Sequence, residues 1–191
     1  MSGAIRRFDA ARLSPAQRLG LTAALVALGV ALSAFAVPIG PARVFPFQHL
    51  VNVVAGVMVG PLHAVVAALS ISIIRNALGT GTILAFPGSI FGALLVGLAY
   101  HRLRRSDAAA FLEPVGTVLL GATTGYLLIA GLDGPTTLLG IVRALPPSPQ
   151  AYLGLVPPGL LALMAAFAAS SIPGAILGYL ALRALRRAHI R

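Results

Sequence analysis

Long apolar runs, each near the length needed to cross a bilayer, constrain the fold of this chain most strongly. A spanning helix needs about 20 mostly apolar residues, and residues 19–36 form such a run without a charge. Apolar residues make up 58% of the 191 residues and charged residues only 9%. A soluble domain of this size has too little interior to bury so much apolar surface. The sequence therefore predicts an all-α integral membrane protein.

Proline, glycine and basic residues divide the chain into six predicted transmembrane helices within one domain, 1–191. Gly60-Pro61 marks a tight turn, and Pro87-Gly88 closes a loop that is a candidate for re-entering the membrane. A long connection at 132–158 is rich in proline. The predicted helices cover about 19–36, 47–59, 62–78, 89–100, 108–130 and 159–182, and basic tails cover 1–18 and 183–191.

The distribution of arginine predicts that both termini are cytoplasmic. All fourteen basic residues are Arg, and eleven of them lie in the two tails and the loop at 101–105. Six helices place these three segments on one side, and positively charged segments favour the cytoplasmic side. Only Arg43, Arg75 and Arg143 fall on the predicted outer side, so these three need another explanation.

Several function classes are excluded by missing residue types. The chain has no Lys and no Cys, which removes the Walker A lysine, a Schiff-base amine and thiolate chemistry. The four His are scattered without metal-ligand spacing, and there is no Ser-His-Asp set or GxSxG turn. The net charge of +10 follows membrane topology rather than a nucleic-acid surface. We therefore expect no enzyme activity in this chain, no metal, no cofactor and no nucleic-acid partner.

Polar side chains gather just after the first predicted helix. Gln48 and Asn52 are spaced i, i+4, and His49 and Asn52 are spaced i, i+3, so the three converge on one side of a helix. Phe45 and Phe47 add flat apolar surface beside them. Because polar groups in a membrane are costly unless they face protein, water or a ligand, the segment predicts a small-molecule pocket. The alternative is that these groups pair across helices and only stabilise the fold.

A second polar group lies at the end of the third predicted helix and in the loop after it. It comprises Arg75, Asn76, Thr80 and Thr82. Arg75 either extends to the membrane surface or faces a ligand or the loops above the site. Glu113, near the inner end of the fifth helix, is expected to pair with an inner Arg in a structural role; the alternative is a proton relay.

Small residues repeat at every fourth position of the first helix. Ala23, Ala27 and Ala31 share one face, and small residues at this spacing let another helix approach closely. The face is therefore a candidate for docking a partner subunit. The alternative is that it packs inside this chain.

Two segments of the sequence resemble the ThiW family. They are PIGPARVFPFQHLVNVVAGVMVGP at 38–61 and IRNALGTGTILAFPGSIFGALL at 74–95. The resemblance is most specific in FPFQH with an Asn three residues later, and the AFPGS segment supports it. In the second half it rests on hydropathy, on Tyr126 in the fifth helix and on the closing helix. The segment at 132–158 looks like an insertion.

The resemblance implies a substrate-binding (S) component of an energy-coupling-factor (ECF) transporter in a prokaryotic cytoplasmic membrane. It implies a thiazole precursor of thiamine as ligand, with a transmembrane coupling subunit and two cytoplasmic ATPases as partners. Alternatives are another vitamin-like ligand, or a stand-alone proton-coupled secondary transporter. The implied substrate-binding residues are Phe45, Phe47, Gln48, His49, Asn52, Arg75, Asn76, Thr80, Phe86 and Tyr126, and the implied docking residues are Ala23, Ala27 and Ala31.

Overall fold

The computed structural model describes residues 10–39, 42–103, 105–132 and 158–188. Predictions for most of the connection at 132–158, Arg143 included, and for the outer parts of both tails lie outside these residues. The same holds for the side chain of Arg43.

Six helices make up most of the described chain, which confirms the all-α prediction. The fifth is irregular: a 3-10 segment Asp107–Leu112, a short α-helical piece Glu113–Val115, a π-helical segment Gly116–Gly121 and an α-helix Ala122–Leu132 follow one another. We treat these four pieces as one helix, α5. The others are α1 Pro15–Leu32, α2 Pro46–Met58, α3 Pro61–Ala77, α4 Ala85–Leu98 and α6 Pro158–Ala188.

The first helix lies four residues earlier in the chain than predicted. Ser14 caps it, because its side chain accepts a hydrogen bond from the backbone of Gln17 while the Gln17 side chain accepts from the backbone of Ser14. This reciprocal capping box and Pro15 at the first helical position favour a start before the apolar run. Helix α1 therefore begins at Pro15, before the start predicted at about residue 19.

Two short strands connect α1 to α2. Strand β1, Val37–Ile39, pairs antiparallel with β2, Ala42–Val44. The backbone of Arg43 lies opposite Pro38 in this hairpin.

Three other helix ends also differ from the prediction. Helix α4 starts at Ala85, so Pro87 and Gly88 lie in its first turn, where proline costs little because its missing N–H has no helical acceptor. At its other end α4 continues as a π-helical segment, Ala99–Leu103. Helix α6 extends to Ala188, so the basic residues expected in a tail at 183–188 lie on a helix.

Helix α2 occupies the centre of the bundle, where it packs against α6, α4 and α3. Most of its residues are buried, in keeping with a helix largely enclosed by others. At its C-terminal end, Gly56 on α2 and Gly97 on α4 leave no space for a side chain, since added Cβ atoms would meet Val96 and Pro61 respectively. The close approach of these helices fixes the short turn between α2 and α3.

The start of α1 and the end of α6 lie at the same end of the bundle. There, Arg186 on α6 pairs with Asp107 at the start of α5, with its NH2 group 2.6 Å from Oδ1, and also donates to the hydroxyl of Tyr100. His101 hydrogen-bonds the carbonyl of Val57 at 3.1 Å. We call this the terminal end of the bundle.

Three helices have the length and apolar composition needed to cross a membrane: Pro15–Leu32, Asp107–Leu128 and Gly159–Ala188. Large apolar side chains remain exposed along them, including Leu19, Leu119 and Leu180, each more than half exposed. Exposure of this kind fits a lipid environment. Helix α3 is apolar but shorter, and α2 and α4 have 13 and 14 residues. Three of the described helices therefore have the length and composition of a full span.

Candidate binding site

A cavity of about 600 Å³ lies at the end of the bundle opposite to the terminal end. Small-molecule sites typically have volumes of about 300–1,000 Å³. The end of α1, the start of α2, the last turn of α3, the start of α4 and the first half of α6 surround it. Its lining residues are Ser33, Ala34, Ala36, Phe45, Gln48, His49, Arg75, Gly79, Thr80, Gly81, Thr82, Leu84, Ala85, Gly88, Ser89, Leu163, Ala166, Phe167 and Ser170.

The walls of the cavity are mainly apolar and include two aromatic rings. Phe45 precedes α2, and Phe167 projects from α6 towards Gly88 on α4. Leu84 and Leu163 complete the apolar surface. Such walls favour a small ligand with a flat apolar part.

Arg75 supplies the positive charge of the cavity wall. It is only 1% exposed, so the alternative that it extends to the membrane surface is wrong. One terminal nitrogen donates to Gln48 Oε1 and the other donates to the Thr80 carbonyl at 3.1 Å. The guanidinium carbon lies 4.0 Å from the centre of the Phe45 ring, within the range of a cation–π contact. All three partners are uncharged.

Serine residues connect α2 to its neighbours around the cavity. The amide nitrogen of Gln48 donates to Ser89 Oγ on α4. The backbone N–H of Phe45 donates to Ser170 Oγ on α6 at 2.6 Å. These bonds satisfy groups that would otherwise be unpaired in an apolar interior, which is costly.

His49 lines the cavity and also contacts a buried carboxylate. Its Nδ1 lies 2.7 Å from Oε1 of Glu113. Asn52 Nδ2 donates to the same oxygen at 3.1 Å, and Thr117 Oγ1 lies 2.9 Å from it. Glu113 itself is fully buried. The prediction that Glu113 pairs with an inner Arg was therefore wrong: it pairs with His49.

A glycine on α4 explains how α5 can bring this carboxylate into the bundle. A Cβ atom at Gly92 would overlap both Glu113 and Thr117. Because Gly92 has no Cβ atom, Glu113 can extend past α4 towards α2.

The loop after α3 is tied to the end of that helix. The backbone N–H groups of Thr80 and Gly81 donate to the carbonyl of Arg75 at 2.9 and 3.0 Å. The side chain of Asn76 donates to the carbonyls of Ser72 and Thr82 at 2.8 and 3.1 Å. These bonds hold the loop beside the cavity, and they occupy the amide nitrogen of Asn76.

The structure brings half of the ten predicted substrate-binding residues to the cavity: Phe45, Gln48, His49, Arg75 and Thr80. The other five do not line it. Asn52 lies behind His49 against Glu113, and Asn76 braces the loop. Phe47 packs edge-to-face on Phe35, with ring centres 6.2 Å apart. Phe86 and Tyr126 are half-buried elsewhere.

Sequence reasoning missed the alanine and leucine side chains of the wall and also its serines and second aromatic ring, Ser33, Ser89, Ser170 and Phe167. Serine is common in membrane helices, where its hydroxyl bonds back to the backbone. Phe167 belongs to an apolar helix with no local signal to distinguish it.

The small-residue face of α1 borders a second, apolar groove of about 670 Å³, between α1 and α3. Ala23, Ala27 and Ala31 are all exposed there. The inward face of α1 is formed instead by Thr22, Leu25 and Gly29. Among the described residues, the alanine face therefore lines a groove and does not form the inward face of α1.

The arrangement as a whole is suited to binding a small molecule in a largely apolar pocket with a few fixed polar groups. Comparison with protein families gives a match over residues 19–188 to a family described as thiamine-precursor transporter protein (ThiW). The match confirms the resemblance seen in the sequence. No curated protein and no solved structure matches the chain.

Proposed function

Because the chain belongs to the ThiW family of thiamine-precursor transporters, we propose that it is the substrate-binding membrane subunit of an ECF-type importer. Its ligand is 4-methyl-5-(2-hydroxyethyl)thiazole or a close relative. The chain captures this ligand from outside the cell and hydrolyses no ATP itself. As part of the importer, this subunit rotates within the bilayer and releases the ligand on the inner side.

The cavity is the observation that carries this proposal. A thiazole is small, flat and mostly apolar, and the rings of Phe45 and Phe167 offer matching surface. Its ring nitrogen and hydroxyl need few polar partners, and the cavity offers few, chiefly Gln48, His49 and Arg75. Asn52, Asn76, Phe47, Phe86 and Tyr126 act indirectly in this proposal, through the packing around the site.

The proposed orientation of the chain in the membrane rests on the distribution of its arginine residues. The described Arg residues at the terminal end include Arg12, Arg18, Arg102 and Arg186. The positive-inside rule then makes the terminal end cytoplasmic. The cavity, at the other end, opens towards the outside, where an imported ligand arrives.

Titration calorimetry on the purified protein tests the ligand. We expect saturable one-to-one binding of hydroxyethylthiazole, and loss of that binding in Ala166→Phe, because the new ring fills the cavity. Ala165→Phe is the matched control, since Ala165 is exposed and lies outside the cavity lining. Absence of binding to hydroxyethylthiazole, thiamine and thiamine pyrimidine precursors alike would exclude the proposed ligand class.

The proposed partners are a transmembrane coupling subunit and two cytoplasmic ATPases. The exposed face of Ala23, Ala27 and Ala31 supports a docking role for α1, because small residues allow a second helix to approach closely in lipid. The apolar groove beside it adds surface for a partner helix.

Ala27→Leu is expected to abolish co-purification with the coupling subunit while leaving thiazole affinity unchanged. The added side chain would occupy the groove between α1 and α3. Ala24→Leu provides the control, because Ala24 is exposed on the same helix but does not line the groove. Normal complex formation by Ala27→Leu would show that the coupling subunit docks elsewhere.

The buried pair of Glu113 and His49 supports one alternative, a stand-alone transporter driven by protons. Carboxylates and imidazoles inside a membrane protein often mark proton pathways. The two functions differ in one measurement: proteoliposomes that contain this chain alone accumulate thiazole under a pH gradient only if the alternative holds.

A further inference from the structure

We propose that Glu113 is a positioning residue that holds the proton of His49 on Nδ1, so that Nε2 faces the cavity as a hydrogen-bond acceptor. The site then selects ligands that carry a hydroxyl or N–H donor at this point. This inference rests on the proposed function for the identity of the ligand, but the proton position is a property of the protein itself.

The orientation of Asn52 shows that Glu113 Oε1 is an acceptor. Asn52 Nδ2 lies 3.3 Å from the carbonyl oxygen of Ser89. A carbonyl can only accept, so the nitrogen of the amide must be on this side. The second hydrogen of the same nitrogen points at Glu113 Oε1, 3.1 Å away. The hydroxyl of Thr117 is the third neighbour of this oxygen, at 2.9 Å. The same hydroxyl lies 3.1 Å from the carbonyl oxygen of Gly88, so its single proton is shared between the two acceptors.

Three protonation patterns could join His49 to this oxygen. A neutral imidazole could donate from Nδ1 to a carboxylate, an imidazolium could do the same, or a neutral carboxylic acid could donate to Nδ1. The patterns differ in total charge, and burial of charge decides between them.

The charge of the surrounding network selects the first pattern. Arg75 is joined to Glu113 through Gln48, Ser89 and Asn52, by an unbroken chain of contacts among buried residues. Arg75 is always cationic in proteins. A carboxylate with a neutral imidazole makes the network neutral, whereas either other pattern leaves an excess positive charge inside the membrane. Charge balance thus favours a neutral His49 with its proton on Nδ1, although Oε2 of Glu113 is buried without a hydrogen-bond partner among the described residues.

The opposite edge of the ring is then free to meet a ligand. His49 lines the cavity, while Glu113, on its Nδ1 side, does not. Among the described residues, no group forms a hydrogen bond with Nε2. This nitrogen is also not among the unpaired polar atoms that are fully buried. An unprotonated Nε2 accepts a hydrogen bond from a hydroxyl but repels another acceptor. The hydroxyl of a hydroxyethyl group meets this requirement; the ring nitrogen of a thiazole does not.

Nitrogen NMR on ¹⁵N-histidine-labelled protein tests the proton position without any ligand. The chain has only four His, and the signals of His49 are identified by their loss in His49→Gln. We expect a protonated Nδ1 and an unprotonated Nε2 in the wild-type protein. A protonated Nε2, alone or together with Nδ1, would overturn the proposal, whatever the protein binds.

Ligand selectivity tests the role of Glu113. We expect hydroxyethylthiazole to bind about tenfold more tightly than 4-methyl-5-ethylthiazole, which lacks the hydroxyl, because one hydrogen bond is lost. In Glu113→Gln the amide presents a donor as well as an acceptor, so His49 is no longer held in one tautomer. The preference should then fall to about twofold or less, with a protonated Nε2 population in the NMR spectrum.

Asp107→Asn is the matched control. It neutralises the only other carboxylate among the described residues, which lies at the terminal end and pairs with Arg186 rather than with the residues of the cavity. It should keep both the His49 tautomer and the tenfold preference. An unchanged preference and tautomer in Glu113→Gln would show that Glu113 is only structural. If no thiazole binds to the wild-type protein, the proposed function fails while the NMR result still decides the position of the proton.

Discussion

Gly97→Ala should lower the melting temperature of the protein markedly, although it adds only one methyl group. That methyl carbon would lie 2.5 Å from Cα and 2.8 Å from the nitrogen of Pro61. Both are backbone atoms at the start of α3, so no side-chain rotation relieves the overlap. Overpacking of this kind costs about 1–3 kcal/mol and sometimes more.

The turn that carries Pro61 leaves little room for adjustment. Gly60, just before it, has φ of +88°, a conformation that side-chain-bearing residues rarely adopt. The proline ring fixes the next φ angle as well. Helix α4 would therefore have to move away from α2 and α3, and its start contributes Ala85, Gly88 and Ser89 to the cavity.

Gly20→Ala is the control for this experiment, since nothing lies within 4 Å of a Cβ atom at Gly20 on α1. It should leave the melting temperature unchanged or raise it slightly, because Ala favours helix over Gly by up to about 1 kcal/mol. Thermal unfolding of both variants in the same detergent provides the comparison. Equal melting temperatures would show that the contact between α4 and Pro61 relaxes at little cost.

The helices were predictable because their signals are local. The apolar runs on either side of Gly60-Pro61 placed α2 and α3 to within about one residue. Their ends depended on short-range hydrogen bonds that hydropathy does not report, such as the capping box of Ser14 and Gln17. The hairpin before α2 was missed for a related reason, since three-residue strands have little sequence signal.

Helical spacing predicted part of the binding site, and tertiary packing decided the rest. Gln48 and His49 reach the cavity, as their spacing on α2 indicated. Asn52, on the same face one turn later, contacts Glu113 instead. This contact is possible because Gly92 has no side chain that would collide with Glu113. No regular helical period could place Glu113 itself, since α5 changes from 3-10 to α to π geometry around it.

Arg75→Lys is expected to weaken thiazole binding about 10–100-fold, although it keeps the positive charge. The guanidinium forms two hydrogen bonds with separate nitrogens, to Gln48 and to the carbonyl of Thr80, and stacks on Phe45. A single ammonium cannot reproduce this planar geometry. Losing one hydrogen bond to a charged group costs about 1.5–3 kcal/mol.

The consequences of this change reach both the polar wall and the loop above it. Gln48 would lose the partner that orients its amide towards Ser89, and the loop beside Thr80 would lose an anchor. Calorimetry with hydroxyethylthiazole and thermal unfolding should therefore both detect the variant.

Arg183→Lys is the matched control for Arg75→Lys. Arg183 also donates to a side chain and lies over a ring, that of Tyr179 at 5.8 Å, but it is exposed on α6 near the terminal end. Exposed contacts of charged groups contribute little, so its replacement should leave both the affinity and the melting temperature unchanged. Wild-type affinity in Arg75→Lys would mean that the cavity needs only a positive charge at this position. Arg75 would then act by attracting electron-rich groups of the ligand rather than by holding Gln48 and the loop in place.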